Sequence, residues 1–135
     1  MFFSIDSANG TPIYEQLIRQ VKLAVADGVI SGGQMVPSVR QLASELMINP
    51  NTIQRAYQQL QTDRVLESVR GRGLAVRRDA LARCTKARNT RVTESMTRLL
   101  SDALSGGISP EELRELFESE LQRQMQAQTN GEQQA

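Results

Sequence analysis

The sequence predicts a mainly α-helical protein with one small β-hairpin, and three observations support this fold class. Apolar residues recur at helical spacing in several segments that open on a capping residue or proline and close on glycine or a tight turn. Residues 65–69 and 74–76 have the pattern of short strands, and the segment between them contains glycine. The 135 residues leave room for one small domain of about 75 residues and an appendage.

The first predicted helix follows Thr11-Pro12, where Thr11 is expected to cap and Pro12 to occupy the first helical position. It ends at Gly28. Its apolar face is formed by Leu17, Val21, Ala24 and Val25. This spacing predicts an amphipathic helix with one buried side.

Two further helices are predicted on either side of a very tight turn. Ser38 and Gln41 form a capping box at the start of the second helix, and Asn49 can cap the third, with Pro50 at its first position. The inward faces are Val39, Leu42, Ala43 and Leu46 in the second helix and Ile53, Ala56, Tyr57 and Leu60 in the third. Such a pair is typical of a helix-turn-helix, although a helical pair in a bundle has the same local pattern.

The predicted hairpin argues against a helical pair in a bundle. Arg70-Gly71-Arg72-Gly73 separates the two strand segments and supplies the glycines that a tight turn requires. A basic hairpin directly after the third helix is the element order of a winged helix-turn-helix. Its tip would place arginines where they can enter a minor groove or contact phosphates.

The charge distribution agrees with a polyanionic partner. Residues 1–78 contain nine Lys/Arg and six Asp/Glu, a net charge of +3, whereas residues 79–135 contain seven and nine, a net charge of −2. Nine basic residues lie between Arg64 and Arg91, with only Glu67 and Asp79 against them. This run favours DNA, although a solvated surface or tether would have the same composition.

Several other classes of function are disfavoured. With one cysteine and no histidine, the chain lacks a multi-cysteine metal site, an internal disulfide and the commonest general base. Cys84 is predicted to be an ordinary thiol, with redox sensing by this residue as the alternative. No cofactor, metal or catalytic residue is expected, and the lack of a long apolar run predicts a cytoplasmic protein without membrane contact.

Two amphipathic helices are predicted in the C-terminal part. The first is marked by Val92, Met96, Leu99, Leu100, Ala103 and Leu104 and ends at Gly106-Gly107, and the second opens on the capping box Ser109–Glu112. The stripe of the second helix is Leu113, Leu116, Phe117, Leu121 and Met125. Two helices of this length cannot bury both stripes against each other, so a second subunit or the first domain must cover the remainder, and a homodimer is expected.

Four motifs closely resemble the GntR family of bacterial transcriptional regulators. They are Pro12-Ile-Tyr-Glu-Gln-Leu, Pro37-Ser-Val-Arg-Gln-Leu-Ala, Asn49-Pro-Asn-Thr-Ile-Gln-Arg-Ala-Tyr57 and Arg70-Gly-Arg-Gly73. The resemblance covers about residues 2–78, and the short tail resembles the YtrA-like branch of the family. It implies a DNA-binding regulator, with repression of a neighbouring transport operon as the expected role.

The resemblance also implies which residues contact double-stranded DNA. Arg40 is expected at a phosphate, and Arg70, Gly71 and Arg72 at the wing tip. Asn49, Asn51, Thr52 and Gln54 are expected at the groove, and Arg55 beside Gln54 has the side-chain chemistry to reach the backbone or a guanine. Asn and Gln can pair with adenine, Thr can reach a thymine methyl or a phosphate, and Arg can reach guanine or the backbone.

The expected organisation is a winged helix-turn-helix domain at 1–78, a basic linker at 79–91, a helical dimerisation or effector segment at 92–128 and a disordered tail at 129–135. Two other functions compete with DNA binding. A catalytic function would need clustered acid, base or nucleophile groups, and the glutamates of residues 111–120 have the spacing of a solvated helix face. A winged-helix module that binds another protein is the remaining alternative. No effector can be deduced from the sequence.

Overall fold

The computed structural model describes residues 3–134 and confirms the predicted fold class. Over this range the elements are α1 (Ile13–Ala26), α2 (Val39–Leu46), α3 (Pro50–Thr62), β1 (Leu66–Val69), β2 (Gly73–Val76), α4 (Ala80–Ser105) and α5 (Pro110–Gln134). The chain divides into two compact units, and the boundary in the sequence lies between Arg91 and Val92.

The first unit is built on α3, which packs against α1, α2 and β1. Its four predicted core residues, Ile53, Ala56, Tyr57 and Leu60, are all buried. From α1 the core receives Leu17, Val21 and Val25, and from α2 Leu42 and Ala43. The other predicted face residues, Ala24, Val39 and Leu46, are partly buried and pack against this core. The helical spacing therefore predicted which side of each helix faces the core, because only one side of an amphipathic helix can reach it.

The hairpin is antiparallel, with Val69 opposite Gly73 next to the turn and Leu66 opposite Val76 at the other end. A third piece of chain, the connection before α2, pairs with β2. The Val36 amide donates to the Leu74 carbonyl oxygen at 2.9 Å, and the Val76 amide donates to the Gln34 carbonyl oxygen at 2.8 Å. These bonds tie the hairpin to the segment that leads into α2.

The start of α1 differs from the prediction. The helix begins one residue later than expected, so Pro12 occupies the N-cap position, and no side chain caps the helix. Instead, the buried amide of Gln16 donates to the Asp6 and Thr11 carbonyl oxygens at 2.8 and 2.9 Å and accepts from the Asp6 amide at 3.0 Å. This side chain thus holds the segment before the helix in place.

The prediction of a basic linker at 79–91 is wrong, because these residues are helical from Ala80 onward. Ala80 and Cys84 are buried in the core of the first unit, and this burial favours a helix there. Asp79 forms ion pairs with Arg77 and Arg83, at 3.0 and 2.8 Å. The basic residues of this segment therefore lie on a helix that packs on the first unit through its apolar side.

The predicted disorder of residues 129–135 also differs from the structure, in which α5 continues to Gln134. Thr129, Asn130 and Gly131 are poor helix formers, so the helix here continues from the segment before it. In that segment, side-chain bonds one turn apart support the helix, as between Gln124 and Glu120 at 2.9 Å. Residue 135 lies outside the described residues.

The second unit contains the two predicted C-terminal helices and their connection. Gly107 adopts a φ of 89° at the end of α4, and the Ile108 amide donates to the Ala103 carbonyl oxygen at 3.1 Å. Ser109 caps α5 by accepting from the Glu112 amide at 3.1 Å, as predicted. Across residues 3–134, no helix has the length and hydropathy that crossing a membrane would require.

Candidate DNA interface

The turn between α2 and α3 consists of Met47, Ile48 and Asn49. Met47 adopts the left-handed conformation, with φ 54° and ψ 46°, and its side chain is 89% exposed. The Ile48 amide donates to the Ala43 carbonyl oxygen at 3.0 Å, which satisfies a carbonyl at the end of α2. The sequence did not indicate this conformation, since glycine or asparagine usually marks it.

The buried hydroxyl of Tyr57 donates to the carbonyl oxygen of Pro37 at 2.8 Å. Burial, together with the nearby charge of Glu45, raises the pKa of Tyr57 well above its usual range. Sequence reasoning placed Tyr57 in the core but missed this bond. The available signal was a tyrosine among aliphatic residues, because a buried hydroxyl needs a partner.

The start of α3 presents polar side chains to solvent. The Asn49 side chain accepts from the Asn51 amide at 2.9 Å, so Asn49 is the predicted helix cap. Asn51 and Gln54 are exposed and Thr52 is partly exposed. Within residues 3–134, the side-chain amides of Asn51 and Gln54 make no hydrogen bond, so both can bond an external partner.

Arg40 lies in the first turn of α2, is exposed and forms no ion pair within the described range. The helix start beside it is capped by Ser38, which accepts from the Gln41 amide at 3.0 Å. The Gln41 side chain bonds Glu45 rather than returning to Ser38, so only half of the predicted capping box forms. The cap leaves the Arg40 guanidinium available for an anion.

Arg55 has a partner that the sequence did not reveal. Its guanidinium carbon lies 3.8 Å from the centre of the Tyr14 ring, a cation–π contact between α3 and α1. The contact holds the Arg55 side chain against α1 while leaving its charge exposed. The Arg55 side chain therefore lies against α1 as well as at the surface of α3.

The wing tip is residues 70–72, a three-residue connection closed by a bond from the Arg72 amide to the Val69 carbonyl oxygen at 2.9 Å. Gly71 has a φ of +76°, which L side chains rarely adopt, and no atom lies near its missing side chain. Arg70 and Arg72 are exposed. The backbone at Gly71 can therefore approach a flat surface closely.

One crevice joins the wing to the start of α2. Ser38, Val39 and Arg72 all line it, together with Tyr57. The structure thus brings Arg72 close to the helix turn that carries Arg40. The starts of α2 and α3 also carry the positive ends of their helix dipoles, which favour phosphate groups.

Comparison with known proteins supports the same interpretation. The family model described as "Bacterial regulatory proteins, gntR family" matches residues 13–76. The HTH-type transcriptional repressor YtrA of Bacillus subtilis is 37% identical over 111 residues, which cover 82% of this chain and 85% of that protein. The HTH-type transcriptional regulator Rv1152 of Mycobacterium tuberculosis is 38% identical over 68 residues, which cover 50% of this chain and 55% of that protein.

Solved structures extend the likeness beyond the first unit. A transcriptional regulator from Oenococcus oeni superposes with a TM-score of 0.75 at 26% identity, over 89% of this chain and 99% of that one. A GntR family transcriptional regulator from Listeria monocytogenes gives a TM-score of 0.68 at 28% identity, over 82% and 96% of the two chains.

The fold and this surface define a winged helix-turn-helix DNA-binding protein. The chain belongs to the GntR family of bacterial transcriptional regulators and resembles its YtrA-like branch. The resemblance deduced from the four sequence motifs is thereby confirmed.

Proposed function

We propose that this regulator is a homodimeric repressor that binds a two-fold symmetric operator in the bacterial cytoplasm. One observation carries the proposal: Asn51 and Gln54 project free amides from the start of α3, while Arg40 and Arg72 lie at the adjoining helix start and wing. Amide side chains can discriminate base edges, and arginines can bind phosphates. A single surface thus combines base recognition with backbone attachment.

Each predicted contact residue has a role in this proposal. Asn51, Thr52 and Gln54 meet base edges in the major groove, and Arg40 binds a phosphate. Asn49 contributes as the cap that exposes the first turn of α3. Arg70 and Arg72 enter the minor groove or bind its phosphates, and Gly71 permits the close approach. Arg55, held on Tyr14, reaches the backbone beside the groove.

The apolar faces of α4 and α5 support the dimer. From residue 92 onward, nine large apolar side chains remain 42–65% exposed on them: Val92, Met96, Leu99, Leu100, Leu104, Leu116, Phe117, Leu121 and Met125. A groove of about 580 Å³ lies among Met96, Leu100 and Phe117, with Arg114 and Glu118 at its edge. An exposed apolar surface of this kind favours association. Two copies related by a two-fold axis can cover both grooves and pair the opposite charges.

Repression is proposed from a relative, and control of a transport operon is proposed only from the family resemblance of the sequence motifs. The YtrA protein of Bacillus subtilis is described as a repressor, and it covers most of this chain. We expect binding without catalysis, because the relatives described above are regulators. An operator that overlaps a promoter would allow this protein to block transcription without any further activity.

The operator is tested by footprinting and gel shift with the intergenic DNA upstream of the gene, at two salt concentrations. We expect a protected site with two inverted half-sites and an affinity that falls steeply with salt. A random duplex of equal length is the control. Equal affinity for both duplexes would refute sequence-specific recognition, and absence of any shift would favour the protein-binding module instead.

The dimer is tested by light scattering on the full chain and on Leu100→Glu/Phe117→Glu, which places charges in the groove. We expect the mass of two chains for the wild type and of one chain for the variant. The control Val29→Glu/Leu81→Glu changes two exposed apolar residues of the first unit in the same way. A wild-type monomer at micromolar concentration, or equal dissociation of both variants, would contradict the proposed interface.

A further inference from the structure

A second cluster of cations lies away from the candidate DNA interface, between α1 and the first half of α4. Four basic side chains, Arg19, Lys22, Arg88 and Arg91, line a crevice of about 170 Å³. Leu23, Cys84 and Ala87 complete its walls. A concave site with a partly apolar wall and several charges of one sign is suited to a small charged ligand.

The acidic groups around this crevice do not balance its cations. Lys22 pairs with Asp63 at 2.8 Å, and Arg88 lies 4.0 Å from Asp27. Arg19 and Arg91 have no acidic partner within residues 3–134. Four cations and two carboxylates leave two uncompensated positive charges. Charges of like sign facing one crevice repel one another, and a bound anion would relieve that repulsion.

The crevice is separate from the residues proposed to contact bases. Lys22 binds Asp63, which caps the C-terminal end of α3, whereas Asn51 lies in the first turn of that helix. The separation of 12 positions between Asn51 and Asp63 corresponds to about 18 Å along the helix, at a rise of about 1.5 Å per residue. A duplex contacted by the start of α3 therefore does not account for the charges at the other end.

We propose that this crevice binds a small oxyanion, a phosphate or carboxylate group, between Arg19 on α1 and Arg88 and Arg91 on α4. Its volume corresponds to about five or six water molecules at about 30 Å³ each, which suits one such group rather than a nucleotide. Arginine presents a planar fork of donors that matches both oxyanions. The anion would join α1 to α4 and stabilise the packing of these two helices.

The test is thermal unfolding of the full chain in increasing inorganic phosphate or citrate, with chloride at matched ionic strength as the reference. Because a ligand of the folded state stabilises it, we expect Tm to rise with the concentration of at least one of the two anions. The phosphate and citrate arms distinguish the two oxyanions. Equal Tm in phosphate, citrate and chloride would overturn the proposal.

Two charge-matched variants localise the effect. Arg19→Gln/Arg91→Gln removes the two uncompensated cations, and Arg98→Gln/Arg123→Gln removes two arginines of the second unit. We expect the first variant to lose most of the Tm rise and the second to retain it. An equal response of the two variants would overturn the assignment to this crevice.

The single cysteine provides a local measurement. Cys84 lines the crevice and is 2% exposed. We expect the bound anion to slow alkylation of Cys84 by neutral iodoacetamide in the wild type and in the Arg98→Gln/Arg123→Gln control, but not in Arg19→Gln/Arg91→Gln. If Arg19→Gln/Arg91→Gln instead lowered the salt dependence of operator binding without changing the response to anions, the crevice would be a DNA contact and the proposal would be wrong.

Discussion

The Tyr57 hydroxyl lies 2.8 Å from the Pro37 carbonyl oxygen and donates a hydrogen bond to it. This bond connects the middle of α3 to the residue before the Ser38 cap of α2. The neighbouring Val36 amide bonds Leu74 in the wing. One buried hydroxyl therefore lies where α2, α3 and the wing converge, and it helps to fix their relative positions.

We expect Tyr57→Phe to lower the free energy of unfolding by about 1–3 kcal/mol, because it leaves a carbonyl without its partner in a largely buried site. Urea denaturation measures the loss. Tyr14→Phe is the matched control, since its hydroxyl is exposed and bonds only the exposed Glu15. It keeps the ring beneath Arg55. Equal effects of the two substitutions would show that the buried bond contributes nothing specific.

Because the Tyr57 hydroxyl is buried, we also expect the stability of the protein to depend on pH in the alkaline range. Burial raises the pKa of Tyr57 in the folded state above the value of about 10 of an exposed tyrosine. The folded state thus binds the proton more tightly, and the stabilisation is complete below about pH 10 and lost as pH rises toward the folded-state pKa. We expect the difference in unfolding free energy between wild type and Tyr57→Phe to shrink above about pH 10. A difference that stays constant or grows there would contradict this assignment.

Much of the fold could be predicted because several helices begin at capping residues that can be recognised in the sequence. Ser38, Asn49 and Ser109 all cap helices in the structure, as their sequence contexts predict. The segment at 79–91 could not be recognised as helical from its charges. Burial of Ala80 and Cys84 decides that conformation, and burial depends on contacts with residues far away in the sequence.

In the candidate DNA interface, too, the sequence predicted the features that depend on local pattern and missed those that depend on packing between elements. The exposure of Asn51, Gln54, Arg70 and Arg72 follows from helical spacing and a glycine turn, so local pattern was sufficient to predict it. The stacking of Arg55 on Tyr14 and the bond from Tyr57 to Pro37 join different elements. No local pattern indicates such a pair, because it depends on how α1, α2 and α3 pack.

Met47 in the turn between α2 and α3 offers a route to a more stable protein. Its left-handed conformation costs a non-glycine residue about 1–2 kcal/mol, and its 89% exposed side chain contributes little packing. We expect Met47→Gly to raise the free energy of unfolding by up to about 1 kcal/mol, after the greater entropy loss of glycine. Chemical denaturation measures the gain. The control Ser44→Gly, at an exposed right-handed position of α2, should lower it instead. Destabilisation by both substitutions would contradict the argument from strain.

Substitution of the proposed base contacts should change the affinities for operator and random DNA differently from substitution of the proposed phosphate contact. We expect Asn51→Ala and Gln54→Ala each to cost about 1–3 kcal/mol on the operator and little on random DNA, which narrows the ratio of the two affinities. Arg40→Ala should weaken both complexes and reduce the salt slope by about one per lost contact in each subunit. Titrations of both duplexes at several salt concentrations separate these effects. If Arg40→Ala abolished the specificity ratio while the amide variants preserved it, α3 would not lie in the major groove as proposed.

Substitutions of the wing arginines should weaken binding to all DNA, and the size of the loss should also depend on base composition. Arg70 and Arg72 are exposed on either side of Gly71, which has a φ of +76° and no side chain to hold the backbone away from DNA in the proposed complex. Arg70→Ala and Arg72→Ala should therefore weaken operator and random DNA alike and lower the salt slope, as Arg40→Ala does. A narrow A·T-rich minor groove has an enhanced negative potential that attracts arginine, so the loss should be larger on operators with A·T-rich flanks than with G·C-rich flanks. Arg123→Ala on α5 removes an equal charge outside the proposed interface and should change neither quantity. A loss that is independent of flank composition would place these arginines on phosphates only.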